Sequence, residues 1–190
     1  MARIIALQPC RHSVGCSHLI ANLAVILMHH GYRVGLLDTD QKAGGIRTLF
    51  GLDATAKGDA TAYWWLSPHT QTTKLLRADL RRYSAAYNRD SAGIYISSLG
   101  CHFAHHSDQL QALQQHYGQA KPFEVLQQLS QDLALDLLLI DNQPEMSDDN
   151  LTGLSFADIS LLLLQLDTYD LQRAARSEEH TSELQSPMYL

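Results

Sequence analysis

The chain of 190 residues is 45% hydrophobic and 18% charged, with a formal charge of −6. This describes one water-facing globular domain with length enough for a sizeable core, and the acidic balance argues against a strongly basic nucleic-acid binder. No apolar run reaches the ~20 residues a spanning helix needs, no secretory leader is expected before the first strand, and three cysteines without metal-ligand spacing fit reduced thiols in a cytosol.

In chain order, the first strand is expected over Arg3–Gln8, in "RIIALQ". The turn "PCRHSVGCSH" follows, then a helix over Ser17–His30, capped by Ser17 and stopped by Gly31. Further strands are expected at Arg33–Asp38, Gly93–Leu99, Leu135–Asp141 and Asp158–Leu166. All are continuously apolar rather than alternating, as strands buried on both faces of a parallel sheet should be. Helices are expected from Ser107 to Gly118 and in "KPFEVLQQLSQDL", with Pro122 in its first turn. Strand alternating with helix predicts right-handed crossovers and a three-layer α/β/α domain around a mainly parallel sheet.

The strand–turn–helix opening is where a phosphate-cradling loop belongs, because backbone amides and a helix N-terminus converge on an anion there. Gly15 and Ser17 suit that plan, whereas Cys16 stands where a lysine would neutralise phosphate. The segment from Ile4 to Asp40 resembles the opening of ParA/MinD-type P-loop ATPases with the deviant Walker A pattern K/R-G-G-x-G-K-S/T. "LLDTDQKAGGIRTLFGLD" resembles their switch I region, and "LLLIDNQPEMSDDNL" their Walker B strand with switch II, where Glu145 replaces a glycine.

The resemblance implies ATP and Mg²⁺ as ligands. It puts Arg11 at the signature basic residue that reaches across a nucleotide-sandwich homodimer, and Cys16 at the lysine. It assigns the nucleotide to Arg11, His12, Ser13, Val14, Gly15, Cys16, Ser17 and His18, and the metal to Ser17, Asp38 and Asp141. Catalytic roles would fall to Asp40, which orients water, to Asp38 and to Arg11. Such proteins position plasmids, division sites or other cargo in the cytoplasm through a further protein partner, some with non-specific DNA contact; membrane attachment is left open. Loss of the lysine favours binding over turnover, since charge-assisted contacts are worth about 1.5–3 kcal/mol each and phosphoryl transfer depends on them. The competing expectation is a non-catalytic pseudo-ATPase module, as in secretion or cellulose-synthesis assemblies. A nucleotide-dependent metal-insertion factor is a third.

Other features have plainer readings. Ser147 caps a helix with Asp148 and Asp149 in its first turn. Lys74, Arg77 and Arg81 would share one face of a helix, with Arg82 beside them, as a solvated face or a DNA patch. Cys101, His102, His105 and His106 read as loop residues rather than a zinc site, which alone would support metal insertion. Trp64 and Trp65 read as a core anchor. His29 and His30 close the first helix at its negative end. The tail Arg176–Leu190 resembles a translated sequencing adapter, so the expected native domain is 1–175, with further sheet strands beyond it.

Overall fold

A computed structural model describes residues 2–12, 14–39, 45–51, 75–77, 92–97, 122–144, 148–165, 167–168 and 171–172. Within them the elements run β1 (Arg3–Pro9), α1 (Cys16–His29), β2 (Arg33–Asp38), α2 (Gly45–Leu49), β3 (Leu75–Arg77) and β4 (Gly93–Ser97). Then come α3 (Pro122–Asp132), β5 (Leu137–Asp141), α4 (Asp148–Ser155) and β6 (Ile159–Leu163). The sheet order is β3-β4-β2-β5-β1-β6, parallel throughout except for β3, which pairs antiparallel with β4.

Each central strand alternates between two cores, which is why its sequence is apolar at every position. Ile4, Ala6, Leu138 and Ile140 face one way, against Leu126 and Leu129 of α3 and Leu154 of α4. Leu7, Val34, Leu36 and Leu139 face the other, against Ile20, Ala24 and Met28 of α1 and Ile46 of α2. These are the three expected layers. The Leu138 side chain lies over Gly35, where an added Cβ would stand 2.6 Å from its Cδ1.

Four expectations need correction. α1 runs from Cys16 to His29, one residue earlier than expected at each end; its N-cap is Gly15 rather than Ser17, and no side chain caps it. The positive φ of Gly15, 84°, turns the loop into the helix, a task open to glycine and not to serine. Leu75–Arg77 is a strand, so the helical spacing that grouped Lys74, Arg77 and Arg81 on one face does not apply. β5 is also shorter than its apolar run, since Leu135 and Asp136 belong to the turn out of α3. Finally β6, read as a buried strand, lies at the sheet edge, where Ile159 and Leu161 are 41% and 38% exposed. Among the described residues it has a neighbour only on the β1 side, which leaves its side chains less buried than its apolar sequence suggests.

The helix expected over Ser107–Gly118 lies outside the described residues, as do Trp64, Trp65, Lys74, Arg81, Arg82, Cys101, His102, His105, His106 and the tail. Pro122 does open α3, Gly31 follows α1 with φ 95°, and Asp148 opens α4.

Candidate functional site

The parallel strands deliver their C-terminal ends to one edge, where open α/β sheets place their chemistry. Asp38 ends β2 and Asp141 ends β5, and the two are register partners. Both are buried, at 2% and 3% exposure. α1 begins beside them. By helix geometry the first-turn amides of Cys16, Ser17 and His18 have no acceptor within the helix, the first intrahelical bond being Leu19 N–H to Gly15 O at 2.9 Å. These amides and the positive end of the helix make the loop side of the site attractive to anions.

Cys16, the first residue of α1, is buried. Its thiol is pushed far above the usual range, first by burial, then by the charge of Asp141 and by a hydrogen bond that the thiol donates to that carboxylate. A neutral thiol therefore occupies the place beside Asp141 where the family resemblance puts an ammonium. It satisfies the carboxylate without neutralising it.

Ser17 is half-buried, and its Oγ lies 3.1 Å from where a Cβ on Gly45 would sit. Only a glycine lets the start of α2 come this close to the hydroxyl without displacing it. His12, Gly15 and His18 are exposed and Val14 is half-buried. Arg11 leaves the site instead of entering it, as its Nη2 donates to Gln165 Oε1 and to Asp167 Oδ2, the latter at 2.8 Å. Ser13, Asp40 and Glu145 lie outside the described residues.

Behind the carboxylates is a layer of buried amides that sequence reading overlooked. Gln8 Nε2 and Asn150 Nδ2 both donate to the carbonyl of Gln143, at 2.7 and 2.6 Å. Gln143 Nε2 donates to Thr39 O at 2.6 Å, while Thr39 donates through N and Oγ1 to Asp141 O at 3.1 and 2.9 Å. The tips of β1, β2 and β5 are thereby locked to one another and to α4, which fixes the two aspartates. Asn142 belongs to this layer, but neither atom of its buried amide has a hydrogen-bond partner. The one sequence signal was polar residues, Gln8 and Asn142-Gln143, ending otherwise apolar strands.

The donor set suits a hard divalent cation: two carboxylates and a hydroxyl, all oxygen. Among the described residues no three His, Cys, Asp or Glu side chains gather as a metal-holding group. No described helix is long and apolar enough to cross a membrane.

The strand order, the loop into α1 and the paired aspartates define a P-loop NTPase type of α/β protein. Residues 1–165 match the ParA family described as NUBPL iron-transfer P-loop NTPase, and the chain belongs to that family. An iron-sulfur cluster carrier protein of Aquifex aeolicus is 51% identical over 49 residues, 26% of this chain and 14% of the carrier. Among solved structures, cobyrinic acid a,c-diamide synthase of Mycobacterium smegmatis, with an ATP analog and magnesium bound, superposes with a TM-score of 0.68 at 19% identity. It covers 97% of this chain, which spans 67% of the synthase. The MinD cell division protein of Aquifex aeolicus gives 0.66 at 16% identity over 98% of this chain and 66% of its own. At these identities the structural likeness shows the fold.

Proposed function

We propose that this chain is a ParA/MinD-like module that binds Mg²⁺–ATP through the Arg11–His18 loop and hydrolyses it slowly or not at all. It would serve as a nucleotide-responsive or purely structural partner for another protein. The observation that carries the reading is the Cys16 thiol, buried at the mouth of α1 and donating to Asp141. The amides of Cys16, Ser17 and His18 would receive phosphate oxygens, and Ser17, Asp38 and Asp141 would hold the magnesium ion. Bound there, the metal would supply charge neutralisation between phosphates and carboxylates. The chain's own residues hold the phosphates at the helix mouth and keep the two aspartates fixed through the Thr39–Gln143 lock. Among the described residues they offer no ammonium to a developing charge, so the interactions that accelerate phosphoryl transfer are depleted there.

Arg11 would contribute across a homodimer, and Asp40 would orient water if turnover persists. We read residues 1–175 as the functional domain and Arg176–Leu190 as foreign to it. Calorimetry with Mg²⁺–ATP, followed by phosphate release, tests the reading. Binding without release supports it, and no binding up to millimolar nucleotide refutes it.

A second reading, carriage of iron or an iron–sulfur cluster, is favoured by the family description and the carrier relative. Both described thiols, Cys10 and Cys16, are buried. Metal content after anaerobic reconstitution tests this reading, and iron retained in a Cys→Ser-sensitive manner would support it.

A further inference from the structure

The contacts of Arg11 point to a role for a residue that the loop motif does not include. β1 and β6 are parallel neighbours with Pro9 beside Leu163, and Cys10 N–H continues their ladder to Leu163 O at 2.8 Å. The two chains therefore leave the sheet side by side, and residue 11 emerges next to residue 165. Asp167 makes backbone bonds in both directions, from its N–H to Gln165 O and from Leu171 N–H to its own O, at 2.8 and 3.1 Å. Its carboxylate meets the guanidinium at 2.8 Å.

We propose that Asp167, with Gln165, is the resting partner of Arg11 and a positioning residue that competes with polyphosphate for its guanidinium. The proposal rests on the nucleotide reading above. The two side chains are 32% and 42% exposed, so the pair can open to water without disturbing the core. An exposed pair of this kind is weak enough for a polyanion to displace it. While it is closed, the cation nearest the loop in sequence is neutralised within its own chain. The other charged groups described at the site, Asp38 and Asp141, are both carboxylates. Anion binding then requires an exchange, in which the carboxylate releases the guanidinium and the phosphate or a facing protomer receives it.

The test uses the full chain with D167N, R11Q and the double variant, each checked for an unchanged melting profile. Arginine-specific dicarbonyl labelling without nucleotide, read at Arg11 by peptide mass spectrometry, reports the contact itself, and D167N should label faster than the parent. Calorimetry with Mg²⁺–ATP reports the competition. D167N should tighten binding by about two- to fivefold, R11Q should weaken it, and D167N should add nothing in the R11Q background. Equal labelling with intact ATP binding overturns the resting contact alone. Equal tightening in both backgrounds overturns it in favour of a general charge effect. Faster labelling with no ATP binding by any variant overturns the competition together with the nucleotide reading.

Discussion

Restoring an ammonium at residue 16 is the sharpest perturbation of this site. Cys16 lies at the first position of α1 with its thiol on Asp141, so in Cys16→Lys the side chain starts where the P-loop pattern places its lysine. A charge-assisted contact to phosphate is worth about 1.5–3 kcal/mol, which corresponds to roughly 10- to 150-fold in affinity. The buried carboxylate of Asp141 competes for the same ammonium, so the gain should fall near the lower end, about tenfold. Calorimetry with Mg²⁺–ATP reads the effect, and Cys16→Met supplies a long neutral stem as control. Phosphate release measured on the same proteins should appear or rise only in the lysine variant. Equal affinity for the lysine and methionine variants would refute the reasoning, because it would mean that phosphate does not reach this end of α1.

The raised Cys16 thiol stays protonated at neutral pH, so alkylation of the native protein at pH 7.5 should be at least about tenfold slower at Cys16 than in urea, read by mass spectrometry. Because the folded state disfavours the thiolate, the contribution is fully present below the free thiol's range and is lost as pH rises above about 8.5. Chemical denaturation from pH 7.5 to 10 should show this decline, and Cys16→Ala should lessen it. Gly15→Ala meets nothing within 4 Å but must adopt φ 84°, so it should cost about 1–2 kcal/mol by denaturant titration, and Gly15→Asn should cost less. Asn142→Leu removes a buried amide without partners and should be neutral or stabilising by about 1 kcal/mol, whereas Gln143→Ala breaks the bond to Thr39 O and should cost about 1–3 kcal/mol.

The amide layer shows why part of the site could not be read beforehand. Gln8 in β1, Thr39 just after β2 and Gln143 just after β5 are far apart in the chain, and neither they nor Asn150 of α4 have a spacing that announces the others. Their meeting follows from the strand order, which sets β5 between β1 and β2. The Arg11–Asp167 contact has the same origin: 156 residues separate the two, and adjacent parallel strands bring them together. The missed β3 is a different kind of failure. Three residues carry too little periodicity to identify a strand, and its antiparallel pairing with β4 is a tertiary choice.

Local physics, by contrast, was enough for the framework. Continuous apolar runs in β1, β2 and β5 could be satisfied only between two layers of helix, and Gly31 and Pro122 marked helix boundaries through their fixed backbone preferences. The order of motifs along the chain placed Gly15, Asp38 and Asp141 at one edge, because parallel strands bring every C-terminal end to the same side. Sequence therefore determined the architecture and the location of the site. Tertiary packing alone decided its electrostatic state, since the Cys16 thiol is buried and donates to Asp141 only because α1 sets it beside the end of β5. Likewise the charge of Arg11 is turned aside only because β6 ends next to β1. Charge and protonation depend on what surrounds a group in space, and a linear pattern does not contain that.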